Sequence, residues 1–324
     1  MLNKPRILIA SPASSASNNG NWQTAHRWSQ FLGSRYHVDI ARKWDGANPP
    51  PDALIALHAR RSADSVASYA ATGRPLILVL TGTDLYRDIR DDDDARRSLQ
   101  LAHQLVLLQD AGLDELPQAL RAKACVIYQS APVLAPLAAD SAFFEVLMVG
   151  HLRAEKDAPT FMRAAIAAST PGLRYTQVGA ALDGELGQQA ERTAVQCRAY
   201  RWLGGLAHDA TRALMRKSRL LVVPSLMEGG ANVIIEAISS GVPVLASDIS
   251  GNRGMLGAAY AGYFPVGDAA ALARLVARVA TDDAFDRLLR TQCAARLPLF
   301  DPEREKAAVL RLMDNALTQY RTRP

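Results

Sequence analysis

The sequence predicts an α/β protein made of two domains, each with a parallel sheet. Three observations carry this. Short, continuous apolar runs recur along the chain with helix-like stretches between them. The runs end in segments rich in Gly, Ser, Thr and Asn, where a sheet meets its ligands. The 324 residues suffice for two cores of about 150 residues each.

In the first half the runs are Arg6–Ala10, Tyr36–Ile40, Asp52–Leu57, Pro75–Leu80, Leu105–Leu108 and Ala124–Tyr128. Their near-absence of polar alternation is the mark of strands covered on both faces. Asn21 to Leu32 carries a helical apolar spacing, so the chain opens as strand, loop and helix. An Ala/Pro/Leu stretch from Ala131 to Ala139 reads as a linker, closing the first domain near Ala138. The second half offers Phe143–Val149, Leu173–Gly179, Tyr200–Gly204, Leu220–Pro224 and Pro243–Ala246 as strands, and Asp301–Tyr320 as one long helix.

Composition bounds the function. An apolar fraction of 49% with 21% charged residues is that of a globular protein, not a disordered one. The net charge of +5 is scattered, which suits small anionic substrates and gives little support to nucleic acid or a membrane surface as partner. Cys125, Cys197 and Cys293 lie far apart and in no metal-ligand spacing, as expected of a reduced, cytoplasmic protein without structural zinc. The first apolar run is too short for a signal peptide and reads as a strand, and no later run is long enough to span a membrane.

The stretch richest in chemistry is Glu228-Gly-Gly-Ala-Asn-Val-Ile-Ile-Glu236. A buried strand precedes it, and a helix is expected to start just after Gly229 and Gly230, presenting amides and a positive dipole end to an anion such as phosphate. Glu236 falls among Val233, Ile234, Ile235, Ala237 and Ile238, so its carboxylate needs donors. Two ribose hydroxyls would supply them, with Glu228 accepting from a sugar beyond the phosphates. Together they describe a nucleotide-sugar pocket. The alternative is a structural arginine paired with Glu236 and glycines that only turn the chain.

Other strand ends add candidates. His58-Ala-Arg-Arg61 and Thr81-Gly-Thr-Asp84 follow the third and fourth runs, placing an imidazole, guanidiniums and hydroxyls where open sheets bind ligands. Arg60 and Arg61 are candidate grips on an anion or a solvated helix start, and Asp84 is a helix cap or a substrate contact. The first loop lacks G-x-G-x-x-G, which disfavours a nicotinamide cofactor. Asp91–Asp94 reads as an acidic helix start rather than a metal site.

Two glutamates eight positions apart across a Gly-rich turn resemble the E-x7-E motif of the GT-B glycosyltransferases of family 4. The resemblance implies two Rossmann-like domains, 1–138 for the acceptor and 139–299 for the nucleotide sugar, facing a cleft. Residues 300–324 would form a helix crossing back onto the first. It implies Glu236 on the ribose, Glu228 on the donor sugar, and the amides of Gly230, Ala231 and Asn232 on phosphates and sugar, without a metal or other cofactor. The loop holding Asn19, Gly20 and Asn21 would reach over donor phosphates and acceptor, unless Asn-Asn-Gly-Asn is only a surface turn. Gly150-His-Leu-Arg-Ala-Glu-Lys156 resembles the family's Gly-Arg-Leu-x-x-x-Lys, whose cations neutralise the departing diphosphate. Lys156 matches; His151 stands at the arginine position, with Arg153 two residues on. Gly179 would lie in the donor site, and Trp202 falls where the family sets backbone against the nucleobase, or else in the core.

Thr81 replaces a histidine common in the family. This departure and that at His151, with Asn18–Trp28, His58–Arg61, Leu80–Arg87 and Ile127–Ser130, resemble the bacterial selenosugar synthases of selenoneine biosynthesis. That group joins UDP-N-acetylglucosamine or UDP-glucose to selenophosphate. The resemblance implies an acceptor site drawn from Asn21, His58, Arg60, Thr81, Thr83 and Arg87. A family 4 transferase with a hydroxyl acceptor, lipid or oligosaccharide, and a non-catalytic sugar-nucleotide sensor are the competing expectations.

Overall fold

In the computed structural model, residues 4–13, 20–138, 140 and 142–322 are described. They divide into two compact units, residues 1–129 with 301–324, and residues 130–300.

The first unit runs β1 (Arg6–Ala10), α1 (Gly20–Gly33), β2 (His37–Ala41), β3 (Ala53–Leu57), α2 (Ala63–Ala70), β4 (Leu76–Leu80), a π-type turn (Asp84–Asp88), α3 (Ile89–Asp91), α4 (Asp93–Leu101), β5 (Gln104–Leu107), α5 (Gln118–Arg121) and β6 (Ala124–Val126). The strands form one all-parallel sheet in the order β2-β1-β3-β4-β5-β6. Every residue of β3 and β4 is buried, as their unbroken Ala/Leu/Ile/Val composition demands when helices cover both faces. The acidic run is a helix start as expected: Asp92 caps α4, accepting from the amide of Ala95 at 2.8 Å.

The second unit runs β7 (Phe144–Val149), α6 (Ala158–Ala167), β8 (Leu173–Val178), α7 (Gly184–Gln196), β9 (Tyr200–Trp202), α8 (His208–Lys217), β10 (Leu220–Val223), α9 (Asn232–Ile238), β11 (Val244–Ser247), α10 (Ser250–Leu256), β12 (Tyr263–Phe264), α11 (Ala269–Thr281) and α12 (Asp283–Arg296). Its sheet is also parallel, in the order β12-β11-β10-β7-β8-β9. Side-chain caps from Asp183, Asp268 and Asp282 start α7, α11 and α12. The Ala131–Ala139 stretch, read from sequence as a linker, groups with this unit over its described residues. The amide of Leu134 donates to Ser239 O, that of Leu137 to Arg216 O, and Arg216 Nε to Ala135 O.

The long helix α13 (Pro302–Arg321) belongs to the first unit and packs on α1. Asp301 caps it and Pro302 occupies its first turn. Glu305, 1% exposed, is its anchor: the carboxylate accepts from Trp28 Nε1 at 2.7 Å and from Arg27 Nε at 2.8 Å. Glu305→Ala would remove the carboxylate that accepts from a half-buried guanidinium and a buried indole, and we expect a loss of about 3 kcal/mol of stability. Denaturant unfolding measures it; a loss below about 1 kcal/mol would show that helix packing alone holds α13. Among the described residues, no helix is long and apolar enough to cross a membrane.

Candidate donor and acceptor sites

In the second sheet the strand order reverses between β7 and β10, so the loops leaving these strands stand side by side. Ligands bind at such reversals in open parallel sheets. After β7 the chain makes a single 3-10 turn, Ala154–Lys156, followed by Asp157 at φ +45, a left-handed backbone that a non-glycine residue adopts only under constraint. After β10 come Ser225 to Ala231 and then α9. The amide of Leu226 donates to Glu155 O at 2.9 Å, which locks one loop to the other. Lys156 Nζ thereby reaches Glu228 Oε1 at 2.5 Å across 72 residues of sequence. Ser225 Oγ donates to the same oxygen at 2.6 Å. Both charged side chains are largely buried, 17% and 9% exposed, so the pair feels little screening.

Gly251, on α10, was not singled out in the sequence, yet it fixes this loop. A Cβ added there would stand 1.9 Å from Glu228 O and 2.8 Å from its carbonyl carbon. Only a glycine lets α10 press against that carbonyl. From β11, Ser247 Oγ donates to Ser225 O at 2.5 Å and Asn252 Nδ2 to Ser247 O at 2.9 Å. The α9 start, with Ala231 as its N-cap, has no side-chain cap. Gly229 is buried and Gly230 and Asn232 are half-buried beside it.

Glu236 does not lack donors. His208 Nε2 lies 2.9 Å from its Oε1, and Arg212 Nη1 4.0 Å from its Oε2. The arginine alternative raised from sequence is therefore met in part, with a histidine added; both come from α8, one helical turn apart on the same face.

The β7 and β8 exits are equally close. A Cβ on Gly179 would fall 1.9 Å from Gly150 O, and its φ of +152 is a glycine conformation. His151 Nδ1 accepts from the amide of Ala180 at 3.1 Å, which leaves Nε2 carrying the proton of the neutral ring. Trp202 is half-buried and donates Nε1–H to Gly179 O at 2.8 Å, so it braces this edge rather than filling the core. Arg153 Nε is buried with no hydrogen-bond acceptor among the described residues.

In the first unit, three of the six acceptor candidates, His58, Arg60 and Arg87, converge on a residue that sequence reasoning passed over, Asp88. It is 4% exposed; Arg60 Nε meets one oxygen at 3.0 Å and Arg87 Nε the other at 3.1 Å. The two guanidiniums remain 43% and 42% exposed. His58 Nε2 lies 3.8 Å from Asp88 and 3.0 Å from Thr83 Oγ1, while Nδ1 accepts from the Arg61 amide at 3.3 Å. His58 is 2% exposed, and burial pushes its pKa below the ordinary imidazole range, so it orients Thr83 as a neutral donor. Its backbone sits at φ +73, a second constrained position.

Asp84, left between helix cap and substrate contact by the sequence, is bonded to backbone amides. Fully buried, it accepts from the amides of Thr81, Gly82 and Ala59 at 2.9, 2.8 and 2.9 Å, because the loops after β3 and β4 are neighbours in the sheet. Thr81 and Asn21 are half-buried; Gly20 begins α1, its carbonyl accepting from Thr24 Oγ1 at 2.7 Å. Asn19 lies outside the described residues. Among the described residues, no three His, Cys, Asp or Glu side chains gather as a metal-ligating group.

Two doubly wound parallel sheets, with a lysine–glutamate pair and a helix start at the strand-order reversal of the second, make this a protein of the GT-B fold. The chain belongs to the glycosyl transferases group 1 family, whose model matches residues 135–296, half of the chain. No curated protein matches it. Among solved structures it is similar to HepE from Anabaena in complex with UDP and glucose, at 17% identity and a TM-score of 0.74, covering 96% of this chain and 100% of that one. Sucrose-phosphate synthase from Thermosynechococcus elongatus is 16% identical with a TM-score of 0.80, covering 98% and 100%. A glycosyltransferase from Rickettsia africae is 13% identical with a TM-score of 0.73, covering 97% and 99%.

Proposed function

We propose that this glycosyltransferase moves the sugar of UDP-N-acetylglucosamine or UDP-glucose onto selenophosphate. The products are a 1-selenosugar, UDP and phosphate, a step of selenoneine biosynthesis. The observation that carries the donor half is the grouping of Lys156, Glu228 and Glu236 around the β7/β10 reversal. HepE, alike in fold, has been solved with UDP-glucose, which supports a uridine donor. The acceptor half rests on the sequence resemblance and on Arg60 and Arg87, two exposed guanidiniums that Asp88 holds for a multiply charged anion.

In this reading Glu236 accepts from the ribose hydroxyls, and the α9 start and Lys156 meet the diphosphate. Glu228, released from Lys156, accepts from the sugar. No metal is required, because Lys156 and the helix start supply the positive charge at the leaving group. The C1–O bond breaks with its electron pair going to UDP, and selenium forms the bond to C1. Water then removes the phosphoryl group from selenium. Selenophosphate is already a good nucleophile, so no general base is assigned.

Glu236→Ala should weaken UDP-sugar binding by about 10²-fold or more, the loss of two hydrogen bonds to a charged acceptor at about 1.5 kcal/mol or more each. Calorimetry reads it, and unchanged affinity would sink the ribose assignment. The function as a whole is tested by mass spectrometry of the protein with UDP-N-acetylglucosamine, with and without enzymatically generated selenophosphate. UDP and a sugar bearing the selenium isotope pattern should appear only together. UDP-sugar binding without a selenium product would move the acceptor to a hydroxyl compound, and binding without turnover on any acceptor would make the protein a sensor.

A further inference from the structure

The carboxylate assigned to ribose is already occupied. Glu236, 15% exposed, carries His208 on one oxygen at 2.9 Å and faces Arg212 on the other at 4.0 Å. The two bases differ in what holds them. Arg212 is 6% exposed at its side chain, and its Nη2 donates to Pro132 O at 3.3 Å. His208 is 43% exposed and begins α8, where the positive helix end disfavours an imidazolium. Arg212 therefore stays, and the histidine lies on the solvent side of Glu236.

Arg212 Nη1 is buried with no hydrogen-bond partner among the described residues, although Glu236 Oε2 is its near neighbour. A buried donor left in this state is costly. A small rotation of the Glu236 carboxylate toward Arg212 satisfies it, but pulls Oε1 away from His208. The structure has the arrangement closed by His208; vicinal hydroxyls arriving at the outer face of the carboxylate would favour a second one, in which Arg212 takes it up.

We propose that His208 is a donor-site residue that the ribose hydroxyls displace from Glu236, so that donor binding and protonation of His208 compete. The proposal rests on Glu236 being the ribose carboxylate. The charged groups acting on the ring are Glu236 from α9, and Asp209 and Arg212 from α8 itself. The hydrogen bond to Glu236 is the chief reason that the His208 pKa lies above the usual imidazole range; Asp209, 3.8 Å from Nδ1, adds to it, while burial and Arg212 oppose it.

The sign follows from that pair. Removing Glu236 as partner lowers the imidazole pKa, so the donor complex binds fewer protons than the free protein. Donor affinity is lowest when His208 is protonated in both states. It rises with pH from the ordinary imidazole value of about 6.5 to the raised one, and then levels off. Each unit by which the donor lowers that pKa is a tenfold gain in affinity across the window. The phosphates of a UDP-sugar are both esterified and stay ionised throughout, so the slope belongs to the protein.

The experiment is calorimetry of the full chain with UDP-glucose at a series of pH values, in buffers of different ionisation heat. Release of a fraction of one proton per donor inside the window is expected, vanishing above it. His208→Gln should bind with no proton release and a flat profile. Heats independent of buffer, or the same slope in His208→Gln, overturn the proposal. A histidine ring titration by NMR without donor gives a second measurement: His208 should titrate above the ordinary value in the native chain and fall toward it in Glu236→Gln. If Glu236→Ala leaves donor affinity unchanged, the ribose assignment has failed; if that variant weakens binding while the native profile stays flat, only the displacement of His208 has failed.

Discussion

Lys156→Ala is expected to lower the turnover of sugar transfer about 10²–10³-fold, the usual loss when one preorganised group facing the leaving-group charge is removed. The variant also leaves Glu228 buried with Ser225 as its remaining side-chain partner at Oε1, which carries a stability cost. The two effects separate in the double variant Lys156→Ala, Glu228→Gln, which removes the orphaned charge and should recover melting temperature without recovering turnover. Lys156→Arg should restore part of the rate, since it returns a cation to the same turn. Steady-state rates and thermal melts of the three proteins make the check. A turnover within about tenfold of the native value in a folded Lys156→Ala protein would remove Lys156 from the leaving-group role.

Gly251→Ala should be nearly as damaging, although the residue touches no substrate group. Alanine normally favours a helix over glycine by about 1 kcal/mol. At this position the added Cβ would stand 1.9 Å from Glu228 O, so the glutamate loop or α10 must move. A displacement of the order of 1 Å at a reacting group costs about 10²-fold in rate. The expected result is a folded protein with transfer reduced by about that factor. Gly184→Ala, in α7 where a Cβ meets nothing within 4 Å, is the control and should leave transfer unchanged. Equal activity in the two variants would mean that the Glu228 loop accommodates the methyl group, and that its position is less demanding than the contact implies.

Much of the fold is legible in the residues because burial writes a local pattern. Leu76–Leu80 and Ala53–Leu57 are strands with every side chain buried, and their sequences contain no polar residue that would contradict it. Aspartate before a helical stretch marks the starts of α4, α7, α11, α12 and α13, because one side chain satisfies amides two or three residues ahead. Lys156, Glu228 and Glu236 were readable for a related reason. Each stands at a strand exit or in an apolar helix where a charge is out of place without a partner.

The identity of the partners was not readable. The resemblance puts Lys156 and Glu228 in one donor site, but their direct pairing follows from the strand-order reversal between β7 and β10. Asp88 became the centre of the arginine cluster because β3 and β4 are adjacent, and in the sequence it is one more aspartate before an acidic run. His208 and Arg212 were not singled out in the sequence, and they gain a role only where α8 lies against α9. Gly251 showed nothing at all, since a glycine's use lies in what its missing side chain lets approach. Hydrophobic period and capping are properties of a few consecutive residues, and so they survive in one dimension. Pair contacts across a sheet depend on the order in which distant strands assemble, and that order is fixed only when the chain packs.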